Sequence, residues 1–294
     1  MNGYGIDKKD FFKVKKLAVL IPVYKQAPSK EELISLRSCL SNLAKFDIIV
    51  FTYPGLDLSQ YEKEFIEHDQ NFSTQFFPRH FFDSLDGYNK FLRGHQFYSR
   101  FSDFEFILIF QLDAYVFSEN LDYWLSKGYS YVGAPWFRQI ENKIEFIGVG
   151  NGGLSLRKVD DFIRVFHWKY FLIRLWIVFK YNFKYVEVRK NSWKFFSNSC
   201  KEFSFSKLKG IFTLIDKNED IFWSKVIPRK FSWFKVAGLN DALCFSFEAC
   251  PLHCFGLNNH QLPFGCHGWG KYEPQFWRQF IGFDGELKLR EENV

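Results

Sequence analysis

An apolar run, a helix-like segment and a second apolar run follow one another within the first 55 residues. The first run, "KLAVLIPVYK" at 16–25, has the profile of a buried strand that ends at a proline. Leucines at helical spacing follow Ser29, and Glu32 stands where a capping box requires an acid. The second run, "FDIIVFTYPG" at 46–55, predicts another buried strand closed by a Pro-Gly turn. This βαβ pattern predicts a parallel sheet in the N-terminal half.

The strongest strand candidate is "FEFILIFQLDAYVF" at 104–117, whose apolar run leads to Gln111 and Asp113. Open α/β sheets bind ligands outside the carboxyl ends of their strands. A carboxylate in that position therefore predicts a ligand site. The alternative interpretation is an aspartate that caps the following turn.

Three further segments surround this strand in the sequence. Residues 87–100 carry apolar side chains at helical spacing, and "YSYVGAPWF" at 129–137 follows the strand. The segment "GVGNGGLSLR" at 148–157 contains four glycines, which let a backbone approach a ligand closely. The alternative for the last segment is a glycine-rich turn.

Length and charge leave several classes of partner open. The 294 residues, 47% of them hydrophobic, suffice for one large domain or two small ones. No internal repeat or linker divides the sequence, so we expect a single domain over 1–294. The net charge of +6 suits nucleoside diphosphates, lipid headgroups or nucleic acid without choosing between them.

The N-terminus indicates a cellular location, and the C-terminal cysteines and histidines suggest a zinc site. No secretory signal is recognisable at the N-terminus, so we expect a cytoplasmic chain with reduced thiols. A structural zinc site is an alternative for the C-terminal region, although no C-x-x-C pair is present. That region holds Cys244, Cys250, Cys254 and Cys266 beside His253, His260 and His267.

The segment 159–185 is apolar, aromatic and basic. Its charges interrupt it too often for a bilayer span. Such a segment can lie at an anionic membrane surface, and the alternative is a helix packed on the sheet with snorkelling lysines. Nucleic-acid binding is a further hypothesis, because lysines, arginines and aromatic residues are interleaved over 159–210. No nucleic-acid motif supports it, so we expect no nucleic-acid partner.

Two residue groups have the chemistry of a metal-assisted transfer site. Asp113 is a candidate ligand for Mg²⁺ or Mn²⁺, and His267, in a glycine-rich loop, can supply an imidazole that suits Mn²⁺. The alternative for His267 is a hydrogen-bonded loop histidine. Glu219 and Asp220 precede an apolar run, which predicts a carboxylate pair at a helix N-terminus with a general base among its two members. The same composition also suits a capped surface helix.

Seven motifs in a fixed order carry a resemblance to a known family. The chain resembles the bacterial DUF5672 family, described as glycosyltransferase-like, within the GT-A superfamily, over about Leu17 to Trp277. The motifs are "YNKFL", "FQLDAYVF", "YVGAPW", "GNGGLSLR", "NEDIFW", "FSFE" and "PFGCHGW". The resemblance implies an α/β fold of the GT-A kind, with a Rossmann-like mixed sheet flanked by helices.

The resemblance also implies roles for the metal-binding and catalytic residues. In the GT-A superfamily a D-x-D motif ends a strand and binds metal, and "QLD" resembles it with Gln111 in the first acidic position. Asp113 then inherits the metal role, and His267 resembles the C-terminal metal histidine. In the other register, Asp113 would begin the motif and the second carboxylate would be lost. Glu219 and Asp220 resemble the x-E-D motif, with Asp220 as the base.

The donor-binding residues follow from the same likeness. Asn151, Gly152 and Gly153 look like the superfamily's glycine-rich loop, and Gln111 and Asp113 adjoin the donor. The nucleoside is expected after the first strand, beside Pro22, Val23 and Tyr24, where the Tyr24 ring can stack on a base.

The expected activity is transfer from a nucleoside-diphosphate sugar, with UDP-sugar favoured, to a glycan or lipid-linked glycan in polysaccharide biosynthesis. Residues 12–157 are then the donor half and 158–294 the acceptor half. Inverting transfer is favoured; in a retaining enzyme Asp220 would orient the donor or acceptor instead. The expected location is cytoplasmic, with peripheral contact at the inner membrane face. The alternative, motivated by Gln111, is a non-catalytic carbohydrate- or nucleotide-binding protein of the same fold.

Overall fold

A mixed sheet forms the centre of the protein. The computed structural model describes residues 14–141, 143–167 and 218–282. Within them the sheet strands are β1 (Lys15–Pro22), β2 (Asp47–Thr52), β3 (Ser73–Phe76), β4 (Phe104–Phe110), β6 (Tyr131–Val132) and β9 (Leu154–Lys158). They lie in the order β3-β2-β1-β4-β9-β6. A small sheet joins β5 (Ala114–Val116), β11 (Gly265–His267) and β10 (Ser246–Phe247), and a hairpin joins β7 (Pro135–Ile140) to β8 (Lys143–Val149).

Helices cover both faces of the central sheet. Towards the N-terminus they are α1 (Lys30–Asn42), α2 (Ser59–Glu67), a 3₁₀ turn (Arg79–Phe81), α3 (Leu85–Leu92), α4 (His95–Ser99) and α5 (Leu121–Ser126). Residues 159–167 form α6. Then follow α7 (Glu219–Ile221), which continues as a π-helix (Phe222–Val226), α8 (Leu239–Phe245), α9 (Pro251–Leu257) and α10 (Pro274–Trp277).

The βαβ unit predicted at the N-terminus is present. Strands β1 and β2 pair in parallel with Val19 opposite Ile48. Helix α1 starts at a complete capping box, in which the Ser29 hydroxyl accepts from the backbone of Glu32 and the Glu32 carboxylate accepts from the backbone of Ser29. The prediction of an α/β fold with a Rossmann-like mixed sheet flanked by helices is confirmed.

The central strands are apolar throughout because both of their faces are buried. In β1, Val19 and Ile21 enter the cluster beneath α1, α2 and α5, while Ala18 and Leu20 enter the cluster beneath α3, α4 and α6. The second cluster holds much of the aromatic content, with rings of α3 and α4 packed edge to face. A strand covered on both faces reads as a continuous apolar run.

Strand β1 marks the switch point of the sheet. Strands β2 and β4 flank β1 on opposite sides, and both run parallel to it. Connections to the two neighbours therefore leave in opposite directions, and the carboxyl ends of β1 and β4 open onto a crevice.

Two sequence predictions need correction. The segment 104–117 is not one strand, because the chain turns after β4, with the Ala114 backbone donating to Gln111, and β5 joins the small sheet. The segment 87–100 is not one helix, because Gly94 adopts extended backbone angles between α3 and α4.

Part of the proposed membrane segment can be located. Of 159–185, the structure describes only 159–167, where Val159 and Phe162 are buried in the core, and the rest lies outside the described residues. Among the residues described, none of the helices is long and apolar enough to cross a membrane. The single domain with halves at 12–157 and 158–294 stays a prediction.

The capping box gives a test of the first βαβ unit. We expect Ser29→Ala to lower the free energy of unfolding by about 1 kcal/mol, because the first turn of α1 loses its side-chain acceptor. Urea unfolding measures the change. Ser126→Ala, which removes an exposed hydroxyl that donates to Tyr123, should stay within about 0.5 kcal/mol of the unaltered protein. Equal losses in both variants would contradict this account of α1.

Candidate active site

A cavity of about 450 Å³ opens at the carboxyl ends of β1 and β4. This volume lies in the range of small-molecule sites. Five residues predicted from the sequence to hold a donor line it, namely Pro22, Val23, Tyr24, Gln111 and Asp113. The remaining wall comes from Lys25, Glu32, Tyr61, Phe82, Ser84, Leu85, Tyr88 and Leu112.

Asp113 and His267 meet at the edge of this cavity. Strands β5 and β11 pair antiparallel with Ala114 opposite His267, and the Gly268 backbone donates to the Asp113 carbonyl at 2.8 Å. The His267 Nε2 atom therefore lies 3.0 Å from Asp113 Oδ1 and 3.1 Å from Gln111 Oε1. The imidazole is mostly buried, whereas 55% of the Asp113 side chain is exposed towards solvent.

Gln111 connects this contact to the cavity wall. Its amide nitrogen donates to the Tyr88 hydroxyl at 3.3 Å, and its amide oxygen faces His267. The Gln111 backbone also donates to the Gly153 carbonyl at 2.8 Å. The side chain in the first position of "QLD" therefore presents an oxygen to the site.

His267 has a second carboxylate partner on its other ring nitrogen. Its Nδ1 atom lies 3.1 Å from Glu248 Oε1, and the Asn151 amide donates to the same oxygen at 2.6 Å. Glu248 and Asn151 are both buried. Burial lowers the pKa of His267, but the hydrogen bonds and charges of Asp113 and Glu248 outweigh it and raise the pKa to about 10.

The environment of Asp113 lowers the pKa of its carboxyl, whereas that of His267 raises the pKa of the imidazole. Burial raises the pKa of its carboxyl, while the hydrogen bond and charge of His267 lower it, and so does the charge of Lys271. The net effect is a pKa below the ordinary value. Asp113 therefore keeps its negative charge over a wide pH range.

Two adjacent glycines fit between the ionisable groups because they have no side chain. A Cβ on Gly153 would overlap the imidazole of His267, and a Cβ on Gly152 would overlap the Glu219 carboxylate. The Gly153 amide donates to Asn151 Oδ1 at 2.9 Å. The segment 151–153 thus contacts Glu248, Glu219 and His267 together.

Glu219 is held in a buried ion pair. Arg157, which is fully buried, donates to both carboxylate oxygens of Glu219, at 2.8 and 3.1 Å. The Arg157 guanidinium also donates to the Tyr98 hydroxyl at 2.8 Å, and the Glu219 backbone donates to Asn89. Both oxygens of the Glu219 carboxylate are therefore bound to Arg157.

Asp220, the next residue, has a different environment. Burial, then the charges of Glu219 and Glu248, raise the pKa of its carboxyl to about 7. The Ile221 backbone donates to Asp220 Oδ1 at 2.7 Å. As predicted, the pair stands at the start of a helix, with Asn218 as N-cap. A carboxyl that titrates near neutrality is suited to proton transfer.

Sequence reasoning assigned no role to Glu248, Tyr88, Asn89 or Arg157. Each lies in a motif of the family resemblance: "FSFE", "YNKFL" for the tyrosine and asparagine, and "GNGGLSLR". The signal was present, but nothing in the spacing linked these motifs to His267 or Glu219.

The zinc alternative is not supported in the described part of the chain. The cysteines there are free, and Cys200 lies outside the described residues. Residues 14–141, 143–167 and 218–282 contain no group of three or more His, Cys, Asp or Glu side chains that could hold a metal. The candidate site instead combines Asp113 and His267 with the amide oxygen of Gln111.

The fold and cavity define an α/β protein with a candidate ligand site at the switch point of its sheet. A family model described as "Protein of unknown function (DUF5672)" matches residues 71–267, and the chain belongs to this family. No curated protein sequence matches the chain.

The protein is also similar to several solved structures. The apo-form glycosyltransferase GlyE of Streptococcus pneumoniae is 11% identical, with 86% of this chain covered and a TM-score of 0.43. The match spans 54% of the GlyE chain, about half its length. Core-mannan synthase A of Aspergillus fumigatus, in its Mn/GDP form, is 10% identical, with 50% of this chain and 60% of that chain covered and a TM-score of 0.36.

Gly153 gives a test of the packing around His267. We expect Gly153→Ala to lower the free energy of unfolding by about 1 to 3 kcal/mol, because the new methyl group displaces the imidazole or the loop. Gly256→Ala is the matched control, since a Cβ there meets open space within α9 and should raise stability by about 0.5 to 1 kcal/mol. Denaturant unfolding measures both, and a Gly153→Ala protein as stable as the unaltered one would disprove the close contact.

Asp220 gives a pH test. Its folded pKa of about 7 exceeds the ordinary 3.8, so the folded state binds more protons than the unfolded state between pH 4 and 7. The stability of the unaltered protein relative to Asp220→Asn should therefore fall by about 2 to 4 kcal/mol as pH rises through this window, and level off above it. Asp113→Asn, at a carboxyl whose pKa is lowered, should show no such fall. Urea unfolding at several pH values measures the differences, and a flat Asp220 curve would refute the raised pKa.

Proposed function

We propose that the protein is a glycosyltransferase that takes its sugar from a nucleoside-diphosphate sugar. The observation that carries this proposal is the convergence of Asp113, Gln111 and His267 at the rim of a nucleotide-sized cavity. His267 comes from a part of the chain distant from Gln111 and Asp113, and the cavity lies where α/β sheets bind their ligands. The family resemblance of the seven motifs supports the same activity.

Asp113, Gln111 and His267 would hold a divalent cation. His267 Nε2 lies 3.0 Å from Asp113 Oδ1 and 3.1 Å from Gln111 Oε1. Oxygen ligands with one imidazole suit Mn²⁺ or Mg²⁺, and such a cation neutralises charge on a departing diphosphate. The amide of Gln111 replaces a carboxylate as ligand, so Asp113 supplies the negative charge of this set.

The proposed nucleoside contacts are Pro22, at the end of β1, and the two residues that follow it, all three of which line the cavity. Tyr24 is 55% exposed, and its ring can stack on a base. UDP is the nucleotide that we propose to test first. Lys25 and Lys271 bring positive charge near the cavity and Asp113.

Asp220 is the proposed base in an inverting transfer. Its pKa of about 7 allows it to accept the proton of an acceptor hydroxyl at neutral pH. The acceptor is a glycan or lipid-linked glycan. Glu219, held by Arg157, orients the helix start that carries Asp220. The loop of Asn151, Gly152 and Gly153, proposed to bind the donor, contacts Glu248, Glu219 and His267.

The experiment is a nucleotide-binding screen followed by two substitutions. UDP with Mn²⁺ should raise the melting temperature of the unaltered protein more than either alone. Asp113→Asn and His267→Ala should each lose this synergy and lower donor hydrolysis or transfer by about 100-fold or more, because each removes a cation ligand. Asp122→Asn, an exposed carboxylate paired with Lys16 and Lys45, should leave both readouts unchanged.

Two results would count against the proposal in different ways. Full donor hydrolysis in both variants would exclude the metal-dependent mechanism. Nucleotide binding by the unaltered protein with no hydrolysis or transfer would favour the non-catalytic binding protein that Gln111 first suggested.

A further inference from the structure

The two ring nitrogens of His267 face two different carboxylates. Nε2 faces Asp113 and Gln111 at the cavity, and Nδ1 faces Glu248 at 3.1 Å on the buried side. Only 8% of Glu248 is exposed, and its Oε1 atom contacts Nδ1 and the Asn151 amide, on the side of the ring away from Asp113. The role of Glu248 must therefore be sought in its contact with the imidazole.

The sheet register places Glu248 beside His267. Strands β10 and β11 run parallel with Phe247 opposite Cys266. One step further along, Glu248 follows β10 and His267 ends β11. The carboxylate is fixed from the other side by Asn151, whose amide donates to Glu248 Oε1 at 2.6 Å and whose oxygen accepts from the Gly153 backbone.

A neutral imidazole carries one proton, and its hydrogen-bond partners decide which nitrogen holds it. Oxygen acceptors face both nitrogens of His267, Glu248 at Nδ1 and Asp113 with Gln111 at Nε2. A cation held at Nε2 would replace the proton on that side and leave the remaining proton on Nδ1, where Glu248 accepts it. A flip of the ring would turn C–H groups towards both carboxylates. The Gly153 backbone packs closely against the ring, since a Cβ there would overlap it.

We propose that Glu248 is a positioning residue that holds His267 with its proton on Nδ1, and so directs Nε2 at the cation site. Asn151 holds Glu248 in the orientation that this requires. The inference rests on the proposed function, because it assigns the purpose of the imidazole to cation binding. Partners of this kind typically change metal affinity 10- to 100-fold when removed.

The test compares three variants by the dissociation constant of Mn²⁺, measured by electron paramagnetic resonance with UDP present. Glu248→Leu removes the acceptor and should weaken Mn²⁺ binding about 10- to 100-fold. Glu248→Gln keeps an oxygen that can accept from both Asn151 and His267, and should restore affinity to within a few-fold. Glu64→Leu removes another buried carboxylate, paired with Arg37 in α1, and should leave Mn²⁺ affinity unchanged.

A second readout does not depend on the variants folding. In the unaltered protein with Mg²⁺ and UDP, nitrogen-15 correlation spectra of the His267 imidazole should show a proton on Nδ1. A proton on Nε2 would overturn the inference. So would equal Mn²⁺ affinity in Glu248→Leu and the unaltered protein, or equal losses in Glu248→Leu and either Glu248→Gln or Glu64→Leu. Failure of the unaltered protein to bind Mn²⁺ would instead overturn the proposed function, and this inference with it.

Discussion

The contact between Asp113 and His267 depends on a single change of direction in the chain. After β4 the backbone turns at Gln111–Asp113 and forms β5, which leaves the central sheet and pairs with β11. The register of that pairing brings His267 to the carboxyl end of β4. A one-residue slip would turn the imidazole to the other face of the small sheet. Backbone hydrogen bonds therefore place Asp113 and His267 side by side, and side-chain contacts orient the imidazole within that frame.

The loop 151–153 lies between the Asp113–His267 contact and the carboxylate pair Glu219–Asp220. Gly153 packs on His267, Gly152 packs on Glu219, and the Asn151 side chain holds Glu248. Because the loop has no side chain at its two glycines, the imidazole and the Glu219 carboxylate approach it from either side. One short segment of backbone thus contacts three ionisable groups that lie between residues 219 and 267.

The sequence predicted those parts of the fold that local forces determine. The apolar runs of β1 and β2 and the capping box at Ser29 are local signals, and the structure contains all three. The split of 104–117 into two strands could not be read in the same way, because apolar residues continue on both sides of the Gln111–Asp113 turn. Pairing with a strand near the C-terminus decides it.

The site shows the same division between local and long-range information. The approach of Asp113 to His267 was expected from the order of the motifs, not from any spacing. Glu248 was not expected in the site, since an acid after a short apolar run is also how an ordinary strand ends. Its partners, Asn151 and His267, lie on either side of it in the sequence, and the small sheet brings only His267 beside it, while Asn151 reaches it from the loop before β9.

Glu219 and Asp220 show how two neighbouring carboxylates acquire different roles. The side chains differ by one methylene, so their intrinsic acidities are similar. Arg157 binds both oxygens of Glu219, whereas Asp220 accepts from the Ile221 amide and, among the residues that the structure describes, forms no ion pair. Burial, followed by the charge of Glu219 itself, then raises the pKa of Asp220 to about 7. The buried arginine thus holds one acid beside the other, and that acid makes its neighbour a stronger base.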